Sequence, residues 1–101
     1  MAILIPPDDG EPREVLPAGG GPAFELEELQ QLVGGYLEAL RLDGDRWLVI
    51  NEEGKLYDPP LPYNGFASAL MRGRIAADDY IAGPAIICTT AEMGGTGEGE
   101  E

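Results

Sequence analysis

The chain has 101 residues, 44% of them hydrophobic, and carries 19 Asp plus Glu against six Lys plus Arg with no His, a formal charge of −13. That length and apolar fraction fit one globular domain with a modest core and exclude a wholly disordered chain. The charge excludes nonspecific nucleic-acid binding and attraction to anionic lipid, which need clustered Lys and Arg; the missing histidine excludes Ser-His-Asp and Cys-His catalysis, His-ligated metal and a His pH switch.

Residues 2–5 read as a short buried strand, and Pro6-Pro7-Asp8-Asp9-Gly10 as a cluster of turn residues. Arg13-Glu14-Val15-Leu16 then returns as the second strand of a hairpin whose loop is longer than the tight two-residue type. The opening Met1-Ala2-Ile3-Leu4-Ile5 has no basic flank and is too short for a signal segment. No apolar run approaches the roughly 20 residues of a membrane span, so the expected location is cytoplasmic, in the host cell.

Three glycines in Pro17-Ala18-Gly19-Gly20-Gly21-Pro22 lie directly before a helix, but the Gly-Lys-Ser/Thr of a phosphate loop does not follow them. The helix itself is predicted over 22–33. Leu26, Leu29, Leu32 and Val33 form its apolar face, Pro22 takes the first helical position, and Glu25, Glu27 and Glu28 lie near the positive end of the dipole. Gly34-Gly35 ends it, one glycine adopting the left-handed cap.

A strand over 36–42, a turn at Asp43-Gly44-Asp45 and a strand over 47–50 make a second hairpin. Asn51-Glu52-Glu53-Gly54-Lys55 is a further turn in which Gly54 supplies positive φ, and Leu56-Tyr57 begins a short strand. Asp58-Pro59-Pro60-Leu61-Pro62 is irregular, because proline cannot donate to a ladder. Asn64 is an N-cap for a short helix over 64–72, with Phe66, Ala67, Leu70 and Met71 on one side and Arg72-Gly73-Arg74 at its close. The last strand is 85–90. It contains the single cysteine, Cys88, which reads as a small buried hydrophobe. Residues 1–91 form one domain and 92–101 a flexible acidic Gly/Glu tail holding four of the carboxylates, which leaves 15 acidic against 6 basic residues, or −9, in the body. The fold class is α+β: a small antiparallel sheet of about four to six strands packed against one main helix (22–33) and a short second helix (64–72).

Leu29-Gln30-Gln31-Leu32-Val33-Gly34-Gly35-Tyr36-Leu37-Glu38 is followed by Asn51-Glu52-Glu53-Gly54-Lys55-Leu56, then by Leu61-Pro62-Tyr63-Asn64 and Asp79-Tyr80-Ile81-Ala82-Gly83. In that order the four blocks resemble the domain of unknown function 3846 family, carried by phages, plasmids and conjugative elements, over about residues 2–90. Asn64-Gly65-Phe66-Ala67, the Pro59-Pro60 insertion, the Gly-rich loop and the acidic tail depart from the family's usual text. The resemblance implies an accessory protein of a phage or mobile element and brings no reaction with it.

Candidate ligand contacts are Gly34, Gly35, Tyr36, Asn51, Glu52, Lys55, Asn64, Arg72 and Arg74. Lys55, Arg72 and Arg74 would meet an anion, Asn51 and Asn64 would hydrogen-bond a base or ribose, and Tyr36 would offer a stacking face beside glycines that let a ligand approach the backbone. Each has a plain alternative: the 51–55 block as a turn, Gly34-Gly35 as a helix stop, Arg72 and Arg74 as partners of a helix C-terminus. Trp47 reads as core or as an aromatic platform. Asp78-Asp79 and Glu52-Glu53 lack a third ligand for a metal, so neither catalytic residues, metal nor cofactor is expected.

The leading expectation is a non-enzymatic binding protein that sequesters a small nucleotide-like ligand, working as a homo-oligomer. The alternative is an acidic nucleic-acid mimic, or a protein inhibitor of a host DNA-interacting protein. A third reading, an enzyme acting through carboxylates and Lys55, needs a buried group of displaced pKa.

Overall fold

In a computed structural model of the chain, residues 2–8 and 10–93 are described. The order is β1 (Ala2–Ile5), β2 (Arg13–Val15), α1 (Leu26–Val33), β3 (Leu37–Asp43), β4 (Arg46–Asn51), α2 (Gly65–Leu70), β5 (Ala85–Thr89) and α3 (Thr90–Met93). The five strands form one sheet in the order β2-β1-β5-β4-β3, with every pair antiparallel. The α+β class and the small antiparallel sheet are as the sequence predicts.

The apolar runs of β1, β4 and β5 are nearly continuous because both faces of the sheet are covered. Alternate residues go to opposite sides: Val49, Ile86 and Cys88 join Leu4, Leu29 and Val33 under α1, whereas Leu48, Ile50, Ala85 and Ile87 join Ala67, Met71 and Ile81 under α2. β5 lies between β1 and β4, so residues from the two ends of the described chain are locked into the middle of one sheet.

α1 is shorter than predicted. Pro22 lies in the preceding loop and Glu25 is the N-cap. Glu28 folds back over the start of the helix, its carboxylate accepting from Glu25 N–H at 2.9 Å and from Ala18 N–H at 2.6 Å. The N-cap N–H is satisfied by this capping box and the preceding loop is tied down by the same carboxylate, so the helix begins there instead of at the proline. Leu29 and Val33 are fully buried, but Leu26 in the first turn is exposed, unlike the face drawn from spacing. Gly34 ends the helix at φ 88°, as expected of a left-handed cap.

α2 is also shorter, Gly65–Leu70, with Asn64 as its N-cap. Of its predicted apolar side, Ala67 and Met71 are buried and Phe66 is exposed. Leu56-Tyr57 continues a turn and forms no strand. Glu92 and Met93, assigned to the tail, belong to α3: Thr89 Oγ1 accepts from Glu92 N–H at 3.2 Å while Glu92 Oε1 accepts from Thr89 N–H at 2.8 Å, a reciprocal capping box. The remaining tail, 94–101, lies outside the described residues.

Trp47 is half-buried against the α1-side core. Its Nε1–H donates to Thr90 Oγ1 at 2.9 Å and the Arg41 guanidinium lies 4.4 Å from its ring centre. Cys88 is fully buried, and burial first, with the Glu92 charge second, pushes its thiol up to about 12. Ellman's reagent is therefore expected to leave native protein unlabelled and to label one thiol after denaturation. Because the folded value is raised, the thiol's contribution to stability is complete below its ordinary 9.0 and is lost as the pH climbs toward about 12. Denaturation curves of wild type and Cys88→Ala across that window should converge.

Candidate functional site

The sequence from Asn51 to Lys55 is polar and leaves β4 without a return strand, so the chain turns across the end of the sheet. Asn51 fixes this turn. Its buried amide donates to Val33 O at 3.1 Å and to Tyr57 Oη at 3.3 Å, and its Oδ1 accepts from Glu53 N–H at 2.8 Å. The group approaching Gly35 is therefore the protein itself: a Cβ there would stand 2.8 Å from Tyr57 Oη and 2.9 Å from Asn51 Nδ2. Tyr36 is exposed beside the turn, its carbonyl accepting from Glu52 N–H at 2.8 Å.

Gly54 does not take positive φ, contrary to expectation. It is glycine for space, since a Cβ would meet Ala82 O at 2.7 Å. That contact, with Leu61 N–H to Gly54 O at 2.9 Å and Gly83 N–H to Pro62 O at 2.7 Å, seats the 51–62 segment on residues 81–83.

Asn64 is the second internal clamp. It is 1% exposed, donates to Ile5 O at 3.0 Å and Gly83 O at 2.9 Å, and accepts from Ala67 N–H at 3.0 Å. Both asparagines spend their amides inside the fold, and Asn64, buried there, is corrected as a ligand contact. Arg74 is likewise engaged, donating through Nε to Leu42 O at 2.6 Å and through Nη1 to Leu70 O at 3.4 Å. It holds the carbonyls of α2 and β3, the plain alternative for this residue.

What these clamps build is a cleft of about 260 Å³ between β3/β4 and the 75–82 segment, lined among others by Glu38, Glu52, Lys55, Asp79 and Tyr80. Lys55 crosses it to pair with Asp79 and places its Nζ 4.8 Å from the centre of the Tyr80 ring. The Lys55 hydrogen bond first, then the Tyr80 N–H, holds the Asp79 carboxyl below its ordinary range. Glu38 and Glu52 have no ion-pair partner among the described residues. The Tyr80 ring lies 5.7 Å from that of Tyr63, tilted by 45°, and both are solvent-exposed at 36% and 58%. Tyr63 lines a second cleft of about 190 Å³ with Ser68 and Arg72, and the two clefts share Ile75, Ala76 and Asp79.

Of the residues expected at a site, Asn51, Glu52 and Lys55 line the first cleft and Arg72 the second. Gly34, Gly35 and Tyr36 line neither, and Asn64 is buried beneath α2. Tyr63 and Tyr80 were missed as site residues although their blocks, Leu-Pro-Tyr-Asn and Asp-Tyr-Ile-Ala-Gly, stand out in the sequence. A larger, more open groove of about 520 Å³ between β2 and α1 is lined by Val15, Leu16, Phe24 and Leu32, with Arg13 at its edge. Among the described residues, no group of three or more acidic or cysteine side chains is arranged to hold a metal ion, and no helix is long and apolar enough to cross a membrane.

The molecule is thus a small α+β domain: one five-stranded antiparallel sheet, covered on both faces, with paired clefts along its α2 side. The family described as domain of unknown function (DUF3846) matches residues 1–99, so the chain belongs to that family. Searches of curated proteins and of solved structures returned no match.

Proposed function

We propose that the protein is a non-enzymatic binding protein for a small nucleotide-like ligand, held across the two adjoining clefts. The observation that carries this reading is the Tyr63–Tyr80 ring pair, with Lys55 against Tyr80 in one cleft and Arg72 beside Tyr63 in the other. Exposed aromatic faces interleaved with cations stack bases and receive phosphate. The clefts together fall in the roughly 300–1,000 Å³ range of small-molecule sites. A binding role is favoured over catalysis because the chain has no histidine and its thiol is buried. In a phage or mobile element, in the host cytoplasm, such binding would serve as counter-defence by sequestering a nucleotide signal.

The acidic-mimic reading draws less support. Exposed carboxylates occur on α1, at the β3–β4 turn, on the 52–58 segment and at Asp78-Asp79, which places them over both faces of the sheet instead of in one DNA-like track.

Calorimetric titration with nucleoside monophosphates, cyclic dinucleotides and ADP-ribose tests the proposal. At least one should bind, and Tyr80→Ala should weaken it by about 10-fold, the worth of one base–aromatic stack at roughly 1–3 kcal/mol. Binding unchanged in Tyr80→Ala, or no binding by any of them at millimolar concentration, contradicts it.

A further inference from the structure

We infer that Arg72 is the anion anchor of this site, so that the ligand carries a phosphate monoester at the Tyr63 end and turns its ring system toward the Lys55–Asp79 end. The inference rests on the nucleotide reading above and adds the ligand's polarity and its required group.

Carboxylates outnumber cations by 19 to 6, so a basic side chain in this protein would ordinarily find an acidic partner. Arg46 pairs with Asp43 and Lys55 with Asp79, Arg41 donates to Gly44 O and lies over Trp47, and Arg74 donates to two backbone carbonyls. The Arg72 guanidinium has no hydrogen-bond or ion-pair acceptor among the described residues. It lines a concave space shared with Tyr63 and with Ser68, whose hydroxyl is bonded to the Ile81 backbone. The one carboxylate of that cleft, Asp79, is already bonded to Lys55 and to Tyr80 N–H.

The other cleft has the opposite character. Its cation is neutralised by Asp79, and Glu38 and Glu52 stand unpaired along it. A phosphate placed there meets like charge, whereas at Arg72 it meets a guanidinium fork able to hold two of its oxygens. The tyrosine pair lies between the two ends, where a base would stack. Arg13, the other cation without a partner among the described residues, lies in the separate β2–α1 groove beside Glu14 and Glu28, with no exposed ring pair next to it.

The test is a calorimetric comparison of the four ribonucleoside 5′-monophosphates with their nucleosides and with inorganic phosphate, on wild type, Arg72→Ala and Arg72→Lys. The Arg72 side chain makes no hydrogen bond or ion pair among the described residues, so both variants should melt as wild type does. At least one monophosphate should bind 10-fold or more tighter than its nucleoside. Arg72→Ala should erase that ratio and Arg72→Lys restore part of it, while Tyr80→Ala should weaken nucleotide and nucleoside alike. Inorganic phosphate should bind more weakly than the nucleotide and lose its binding in Arg72→Ala. Equal affinity for nucleotide and nucleoside, or a ratio that survives in Arg72→Ala, overturns the inference and leaves the binding reading standing. No binding by any monophosphate or nucleoside overturns the inference, and the nucleotide reading falls with it only if the cyclic dinucleotides and ADP-ribose also fail to bind.

Discussion

Asn64→Ala is expected to lower stability by about 3 kcal/mol and the melting temperature by about 12–24 °C. The side chain is 1% exposed and makes three hydrogen bonds, to Ile5 O of β1, to Gly83 O before β5 and from Ala67 N–H of α2. Alanine removes the amide and leaves two buried carbonyls and one N–H without a partner, each costing on the order of 1 kcal/mol or more. The N-cap is lost in the same change. Asn64→Asp should also destabilise, because the carboxylate keeps the bond from Ala67 but cannot donate to the two carbonyls. Burial raises that carboxyl's folded pKa, so its deficit should be smallest in acid and grow as the pH rises above the ordinary carboxylate range. Urea denaturation of the three proteins checks this. A loss under 1 kcal/mol for Asn64→Ala would mean that Asn64 does not join these elements as described.

Gly54→Ala is expected to cost about 2 kcal/mol and to weaken ligand binding at least 10-fold together with the tyrosine platform. The new Cβ would stand 2.7 Å from Ala82 O, a backbone atom held between the Tyr63–Ala82 bridge and the start of β5. The turn must therefore lift, and Lys55 lifts with it away from Asp79 and Tyr80. Gly21→Ala is the control, since nothing lies within 4 Å of a Cβ there and its φ is not positive. It should be neutral or slightly stabilising through the unfolded chain. Thermal melts and calorimetry on both variants separate a loss of packing at residue 54 from a generic glycine effect. Equal melting temperatures for the two would contradict the close approach.

Most of the fold was legible because its signals are local. Asp43-Gly44-Asp45 between apolar runs announces the β3–β4 hairpin, Leu29 and Val33 announce the buried face of α1, and Ile86-Ile87-Cys88 announces a strand covered on both sides. The errors were made where two local signals compete. Pro22 suits a first helical position, but Glu28 reaching back to Glu25 and Ala18 fixes the start later. The Thr89-x-x-Glu92 capping box was equally readable and extends order past β5, but the glycines and glutamates after it resemble a tail from Glu92 onward.

The site was harder to read because polarity does not reveal which way a side chain faces. Asn51 and Asn64 have the donor and acceptor pattern of ligand contacts and use all of it on backbone and Tyr57. Gly54 looked like a site of conformational freedom and is one of close approach, and at Gly35 the group that approaches is not a ligand but the protein's own Asn51 and Tyr57. Tyr63 and Tyr80 are 17 positions apart, and only the antiparallel bridge between Tyr63 and Ala82 puts their rings together. Lys55 and Arg72 were visible as rare cations in an acidic chain, and that rarity was the signal that survived into the structure.

The most direct measurement is a ¹H–¹⁵N correlation titration of the whole chain with the tightest-binding nucleoside monophosphate. Shifts are expected at Lys55, Arg72, Asp79, Tyr80 and Ala82, saturating together, with β2 and α1 unchanged. Shifts confined to Val15, Phe24 and Leu32 in the β2–α1 groove, or spread evenly over the exposed backbone, would contradict the placement of the site.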